Sequence, residues 1–262
     1  MSKSRAKHVF WVFANLYGRI LGRAWLAPLH RVNLVLALHG LGYDNGWKDS
    51  YTGEQWFVKR VLSPFQPRTL IDIGANIGDY SALLLSNTTG KVYAFEPAQS
   101  SFAELSKIKI RFYERFFPIN SAVSDSVGET KLYSTVEKSP TASLDASLVT
   151  NASAETVALT TLDAFIDAHA LTDIDFIKVD VEGFEREVLK GMQKTLAEQK
   201  PKFIQFEFNI MQLKRGYALF ALAQMLENYD FYRLLPRGWV AIDPRSFSNN
   251  IFMFCNIVAV RR

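Results

Sequence analysis

The sequence is poor in cysteine, in histidine and in uninterrupted apolar runs, and these shortages exclude several classes of protein. The single cysteine, Cys255, excludes an intrachain disulfide framework and a cysteine-based zinc cluster. No run of about 18 apolar residues occurs, so a membrane-spanning helix is not expected. Hydrophobic residues still make up 48% of the 262 positions. This composition is typical of one ordinary globular domain and excludes global disorder.

Acidic residues are missing from the first 43 positions. This segment carries six bases, Lys3, Arg5, Lys7, Arg19, Arg23 and Arg31, and the first acid is Asp44. The other 219 residues hold 24 bases and 26 acids, so the formal charge of +4 comes from the N-terminal segment. Because the body of the chain is slightly acidic, we expect no nucleic-acid partner.

The N-terminal segment mixes bases with large apolar side chains between residues 9 and 26. We interpret residues 1–66 as a helical cap. The mixture also predicts peripheral contact of residues 1–27 with an anionic membrane. The arginine pair at 19 and 23 and the lack of a small-residue cleavage site argue against a signal peptide, while a mitochondrial presequence stays an alternative. We expect a cytoplasmic protein, with or without membrane association, and leave its oligomeric state open.

Short apolar segments alternate with helical patterns after the proline-rich stretch at 63–67. This order predicts an α/β domain over residues 67–262, with a mostly parallel sheet and helices on both faces. Residues 116–123 read as one strand. Residues 134–156 are rich in Ser, Thr and Ala and predict a flexible insertion. Sheets of this kind bind ligands at the carboxyl ends of their strands.

Two motifs at predicted strand ends indicate a nucleoside-bearing cofactor. The first, Asp72-Ile73-Gly74-Ala75-Asn76-Ile77-Gly78, joins a strand to a helix, where small residues let a ligand approach the backbone. An acid before the first glycine would repel a pyrophosphate, but it suits the cationic amino group and sulfonium of S-adenosylmethionine. The second motif contains Glu96, which ends the next strand and is placed to accept hydrogen bonds from ribose hydroxyls.

Three further acids are predicted to converge at the same edge of the sheet. Asp180 and Glu182 follow one strand, and Glu207 follows the next. Such a cluster can supply a general base, bind sugar hydroxyls, or hold Mg²⁺ through Asp180 and Glu207. Crowding raises the pKa of neighbouring carboxyls, so any of the three is a candidate base. No histidine lies at a predicted strand end, and a histidine-dependent mechanism is not expected.

In sequence order, these motifs resemble the FkbM-type family of S-adenosylmethionine-dependent methyltransferases. The resemblance spans roughly residues 68–209. It rests on Ile71 to Tyr80, Phe95-Glu96-Pro97, Ala122-Val123-Ser124-Asp125, Thr161-Leu162-Asp163, Lys178 to Glu185, and Glu207. The pairing of Asp-x-Gly-Ala-Asn-x-Gly with Lys-x-Asp-Val-Glu-Gly is the most specific part.

The resemblance implies a class I, Rossmann-like methyltransferase fold and a set of site residues. It implies cofactor contacts from Asp72, Gly74, Ala75, Asn76, Gly78 and Glu96, an adenine near Ser124 and Asp125, and a methyl donor near Asp180 and Glu182. It also implies O-methylation of a hydroxyl on a sugar, glycan or glycolipid. The alternatives are a methyltransferase for RNA, for protein or for a polyketide-type small molecule, and an inactive cofactor-binding scaffold.

Overall fold

The structure is a computed structural model that describes residues 3–46, 51–135, 142–149 and 152–262. The chain forms two compact units, Met1–Leu41 and Gly42–Arg262. The division falls at Leu41, ahead of the boundary after residue 66 that the proline-rich stretch predicts. Residues 42–66 belong to the second unit because Phe57, Val58 and Leu62 are fully buried in its core.

The first unit consists of two helices. Helix α1 spans Lys3–Leu21, a short 3-10 turn spans Ala24–Leu26, and α2 spans Ala27–Gly40 with a proline in its first turn. The ring of His30 links the two helices, because its Nε2 donates to the Leu21 carbonyl at 2.9 Å and its Nδ1 lies 3.0 Å from the Tyr17 hydroxyl. Neither these helices nor any other in the described ranges is both long and apolar enough to cross a membrane.

The second unit holds all the strands that the structure describes. They are β1 Thr69–Ile73, β2 Lys91–Phe95, β3 Phe116–Ile119, β4 Ala122–Val123, β5 Gly128–Thr135, β6 Ala142–Ser143, β7 Ala152–Thr160, β8 Ile174–Val179, β9 Phe203–Phe208, β10 Tyr229–Leu235, β11 Gly238–Ile242 and β12 Cys255–Arg261. Its helices are α3 Glu54–Phe57, α4 Ser63–Phe65, α5 Asp79–Asn87, α6 Gln99–Lys107, α7 Lys109–Phe112, α8 Leu162–Ala168, α9 Glu185–Lys190, α10 Gln193–Glu198, α11 Ile210–Lys214 and α12 Leu219–Met225. A π-helical turn at Val58–Leu62 joins α3 to α4, and 3-10 turns lie at Ala146–Leu148 and Phe247–Asn249.

The main sheet has eight strands in the order β11-β10-β12-β9-β8-β1-β2-β3. The five strands from β9 to β3 are mutually parallel, and β12 lies between β9 and β10 and runs antiparallel to both. Every residue of β1 is buried, so both faces of the sheet are covered. The α/β prediction with a mostly parallel sheet and flanking helices is therefore confirmed. The parallel arrangement also brings the ends of β1, β2, β8 and β9 to one edge.

A second, four-stranded sheet corrects two expectations. Its order is β4-β7-β5-β6, and the whole of β5 pairs with residues 152–159 of β7. The segment 116–123 is two strands in different sheets, because the chain leaves the main sheet between Ile119 and Ala122. The described part of 134–156, predicted as a flexible insertion without regular structure, contains strand and a 3-10 turn; its flexibility stays a prediction. Residues 136–141 and 150–151 of that prediction lie outside the described residues.

Candidate active site

A cavity of about 440 Å³ opens at the shared edge of the parallel strands. Its size is within the usual range for a small-molecule site. Both apolar side chains and acids line the cavity, and residues of the second sheet form one side of it. The lining includes Gly74, Asn76, Phe95, Glu96, Ser121, Ala122, Val123, Leu132, Ser143, Leu144, Asp180, Glu182, Phe184 and Glu207.

A second cavity, of about 770 Å³, adjoins the first. Both cavities are lined by Gly74, Asn76, Asp180 and Glu207. These four residues therefore form the boundary between the two spaces. Two molecules that occupied the two cavities would meet there.

The turn after β1 allows two loops to meet at this boundary. Gly74 has a φ of +83°, and a Cβ atom at this position would lie 1.8 Å from the carbonyl oxygen of Asp180. Only glycine permits this approach. Asn76 has a φ of +49°, a left-handed conformation that asparagine tolerates better than most residues.

Glu96 fixes the same turn. Its Oε2 accepts the backbone N–H of Asn76 and its Oε1 accepts that of Ala98, both at 2.8 Å. Burial raises the pKa of Glu96 to about 7, although these two N–H groups oppose the shift. A carboxylate has about four acceptor positions, so the two oxygens retain capacity for a pair of ligand hydroxyls.

Asp180, Glu182 and Glu207 converge as the sequence predicts, and all three line the first cavity. Burial, together with the charge of Asp180, raises the pKa of Glu182 to about 7. Burial and the charges of Asp180 and Glu182 raise the pKa of Glu207 well above its ordinary value. Asn209 donates a hydrogen bond to Oε1 of Glu207. Two carboxyls at this edge thus hold protons more tightly than free glutamate does.

Lys178 supplies the counter-charge. Its Nζ lies 2.7 Å from Oδ2 of Asp180 and 4.7 Å from the centre of the Tyr80 ring. Burial by itself would lower the pKa of Lys178, but the carboxyls of Asp180 and Glu54 outweigh it and raise that pKa. The ammonium group is therefore charged, and it holds Asp180 at the boundary.

Several predicted cofactor residues do not reach the cavity. Asp72 is fully buried, does not line the cavity and accepts a hydrogen bond from the Ser81 hydroxyl at 2.6 Å. Gly78 packs against Ile108, where a Cβ would lie 2.3 Å from Cδ1. Ala75 lines the second cavity only.

Ser124 and Asp125 also lie off the cavity wall, which Ser121 to Val123 form at this point. Ser124 is buried, and its carbonyl leaves no room for a side chain at Gly191. Asp125 lies 3.8 Å from Lys190 in an ion pair. The chain turns away after β4, which pairs with β7 in the second sheet.

Sequence reasoning missed the contributions of Glu54 and of the second sheet. Glu54 precedes the recognised motifs, yet its carboxylate is bonded to Gln205, which lies 151 positions later. No local pattern marks such a pair. Leu132 was missed because no motif marks it, and Ser143 because its segment was interpreted as a flexible insertion. Lys178 did carry a signal, since a lysine between Ile177 and Val179 in a buried strand needs a charged partner.

The cavity fits S-adenosylmethionine by its chemistry. Glu96 offers acceptors to a ribose, Phe95 and Leu132 offer apolar surface to a purine, and the acids of the boundary suit a sulfonium and an amino group. Among the residues that the structure describes, no group of three or more His, Cys, Asp or Glu side chains is arranged to hold a metal ion. The Mg²⁺ expected as an alternative therefore finds no ligand set in those ranges.

Sequence comparison adds a family and one relative. The sequence model described as "Methyltransferase FkbM domain" matches residues 72–232. The chain is also similar to the hexuronic acid methyltransferase AglP of Haloferax volcanii, with 30% identity over 145 residues. That alignment covers 55% of this chain and 58% of the relative, so the chain spans less than two thirds of the relative's length.

Comparison of structures finds similar folds among methyltransferases. An O-methyltransferase from Bacillus cereus in complex with SAH is 11% identical, with a TM-score of 0.46, and the match covers 94% of this chain and 96% of that one. A precorrin-6y C5,15-methyltransferase from Geobacter metallireducens is 12% identical, with a TM-score of 0.46 and coverage of 84% and 92%. Values this low support no conclusion about substrate.

Proposed function

Since this chain belongs to the FkbM methyltransferase domain family, which it matches over residues 72–232, we propose that it transfers a methyl group from S-adenosylmethionine to a hydroxyl group of a sugar. The observation that carries the proposal is the boundary between the two cavities. Asp180 and Glu207 line both, so a cofactor in the first cavity and an acceptor in the second would meet at carboxyl groups.

Glu207 is the residue best placed to act as the general base. It faces both cavities, whereas Glu182 lines only the first and Asp180 is engaged by Lys178. Its raised pKa makes it a stronger base than an ordinary carboxylate. Asn209 holds one of its oxygens, and among the described residues no hydrogen bond reaches the other oxygen.

The reaction is a displacement at carbon. When bound, S-adenosylmethionine supplies an electrophilic methyl group on a sulfonium sulfur. The acceptor oxygen forms the new C–O bond as the C–S bond breaks, the C–S electron pair stays on sulfur, and the hydroxyl proton passes to Glu207. The products are a methyl ether and S-adenosylhomocysteine. Alignment of the two reactants supplies much of the acceleration, since positioned reactants avoid most of the entropic cost of encounter.

A sugar acceptor is supported by the relative's name, and a hydroxyl acceptor by the chemistry of the boundary. The similar protein from Haloferax volcanii is called a hexuronic acid methyltransferase. A carboxylate acceptor is already anionic and needs no base, whereas an alcohol does. The carboxyl groups at the boundary can act as bases, and only an alcohol acceptor needs one. They therefore favour transfer to a hydroxyl, which gives an ether, over transfer to a carboxylate, which gives an ester.

The experiment that tests this function combines calorimetry with product analysis. We expect S-adenosylmethionine to bind, and a panel of neutral and acidic sugars to yield a product heavier by one methylene that survives mild alkali. Glu207→Gln is expected to lower kcat about 10²- to 10⁴-fold with cofactor affinity within about threefold of wild type. Glu104→Gln, at an exposed ion pair, is the matched control.

Three outcomes would contradict the proposal. A product that mild alkali cleaves would identify an ester and a carboxylate acceptor. Methyl transfer to RNA or protein, with none to sugars, would replace the substrate class. If the protein does not bind S-adenosylmethionine, the proposed methyl transfer from that molecule is wrong.

We infer in addition that the helical unit of residues 3–40 lies against an anionic membrane surface. Its large apolar side chains are exposed, including Phe10, Trp11, Phe13 and Trp25, which retain 58–77% of their accessible surface. The first 43 residues hold six bases and no acid, and this charge complements anionic lipid headgroups. Exposed apolar side chains beside bases are typical of interfacial helices.

Vesicle flotation tests this location. The full chain is expected to bind vesicles with 30% phosphatidylglycerol more strongly than pure phosphatidylcholine vesicles, and to lose binding as salt rises. The double substitution Trp11→Ser with Phe13→Ser is expected to weaken binding at least fivefold. Phe247→Ser, which alters a still more exposed aromatic residue in the second unit, is the control. Equal binding by the wild type and the double variant, or self-association in place of vesicle binding, would overturn the inference.

A further inference from the structure

The second cavity has walls that come from outside the region matched by the family. Glu54 and Lys59 precede residue 72, and Phe254 and Asn256 follow residue 232. The matched region contributes most of the lining, including Tyr80, Lys178 and the shared boundary residues. The second cavity therefore combines residues of the matched region with residues from the segments before and after it.

A hydrogen-bonded chain of side chains fixes the inner wall of this cavity. Gln205 is fully buried, and its Nε2 donates to Oε1 of Glu54 at 2.8 Å and to Oδ1 of Asn256 at 3.3 Å. Its Oε1 accepts from the Tyr80 hydroxyl at 2.6 Å. Both ends of the Gln205 amide are thus engaged, and they set the positions of Glu54 and Tyr80.

Glu54 is anchored a second time by Thr52, whose hydroxyl lies 3.0 Å from Oε2. Its side chain remains partly accessible and lines the cavity. Each carboxylate oxygen accepts one hydrogen bond from a side chain and keeps a further acceptor position. A carboxylate held in this way is suited to accept a hydrogen bond from a hydroxyl group of a bound molecule. Because its side chain is already fixed, this binding costs little side-chain entropy.

The charges of the wall disfavour an anionic acceptor. The acids that line this cavity are Glu54, Asp79, Asp180 and Glu207, and the bases are Lys59 and Lys178. Lys178 is paired with Asp180 at 2.7 Å, and Lys59 is exposed. On the buried wall, as far as the structure describes it, no cation remains to receive a carboxylate. Desolvating a carboxylate there without a partner would be costly.

We propose that the second cavity is the acceptor site, that it takes an uncharged polyhydroxylated molecule, and that Glu54 binds one of its hydroxyl groups. The proposal rests on the methyl-transfer function and specifies its acceptor. It sets this chain apart from a uronic acid methyltransferase. Gln205 is a positioning residue, since it touches Glu54 and Tyr80 and is sealed from the cavity.

Matched pairs of sugars test the acceptor class. The probes are the methyl glycosides of glucose, galactose and mannose, each with its uronate, so that every pair differs only at C6. Release of S-adenosylhomocysteine is measured with the full chain. The kcat/KM for at least one neutral glycoside is expected to exceed that for its uronate by about tenfold or more.

Glu54→Gln tests the proposed role of Glu54 in binding an acceptor hydroxyl group. It keeps the size of the side chain, and we expect it to raise KM for the neutral glycoside about tenfold, because one hydrogen bond to a charged group is lost. Its affinity for S-adenosylmethionine, measured by calorimetry, should stay within about twofold, since Glu54 does not line the first cavity. Glu104→Gln, at an exposed ion pair that lines neither cavity, is the control. Thermal melting of each variant reports whether it folds.

The outcomes separate this proposal from the function on which it rests. If uronates are methylated faster, the acceptor class is wrong and the sugar methyltransferase stands. If neutral sugars are preferred but Glu54→Gln has the KM of the wild type, the assignment of Glu54 is wrong. If the cofactor binds and no sugar of any pair is methylated, the proposed sugar acceptor fails, and this inference fails with it.

Discussion

Cofactor affinity should depend on pH because an acid of the first cavity titrates near neutrality. The perturbation is a change from pH 6.0 to pH 7.5. The pKa of Glu182 is raised to about 7 by burial and by Asp180. The ionised form attracts a sulfonium cation and the protonated form does not, so affinity should rise with pH.

The size of this effect follows from the ionised fraction of Glu182. With a pKa of about 7, about 9% of the carboxyl is ionised at pH 6.0 and about 76% at pH 7.5. If binding requires the charged form, the Kd of S-adenosylmethionine falls about eightfold over this interval. Glu96, whose pKa is also raised to about 7, can only steepen the dependence, because a ribose hydroxyl pair prefers the ionised acceptor.

Isothermal titration calorimetry measures this change directly. Glu182→Gln, which has no charge to titrate, is expected to bind more weakly and with a flatter pH profile. S-adenosylhomocysteine, which lacks the sulfonium charge, should show a smaller change than S-adenosylmethionine. A wild-type Kd that is constant within twofold between pH 6.0 and 7.5 would refute the reasoning.

Three further predictions concern stability. Gly74→Ala should fail to fold or unfold more easily, because the new Cβ would lie 1.8 Å from the Asp180 carbonyl; unchanged thermal melting would contradict this. Phe57→Ala should lower the free energy of unfolding by about 3–5 kcal/mol, measured by urea denaturation, since the ring is fully buried; a loss below about 1 kcal/mol would count against residues 54–62 as part of the core. The free protein should become less stable as pH rises from 5 to 8, because the folded pKa of Glu96 and of Glu182, about 7, lies above the unfolded value of about 4.3; a melting temperature that rises over this range would oppose it.

Local patterns predicted the strands and the turns that carry the site. The segments Thr69–Ile73 and Lys91–Phe95 are strands, as predicted for the residues that lead into the Asp72 and Glu96 motifs. Each is a short apolar run next to a polar turn. Such runs can be recognised in a sequence because a strand of a parallel sheet is buried on both faces and needs apolar residues throughout. The order of these elements also predicted that Asp180 and Glu207 would meet, since parallel strands end at one edge.

Patterns failed where a residue's role depends on a distant partner. The second sheet was missed because the Ser, Thr and Ala of β7 form strands only when β5 supplies the ladder. Asp72, predicted as a cofactor contact, is fully buried and accepts a hydrogen bond from the Ser81 hydroxyl, a partner that the motif does not reveal. An acid in a motif does not reveal whether its carboxylate faces a cavity or a neighbouring helix.

The sequence by itself determined the family, the α/β class and the chemistry of the strand ends, because these depend on residue types at fixed local spacing. Only the tertiary structure decided which acids share a wall and which are buried behind it. Gln205 and Glu54 are 151 positions apart, and they meet because β9 and α3 pack into one core. The wall of the second cavity around Glu54 is therefore a product of packing between distant segments, which no local pattern marks.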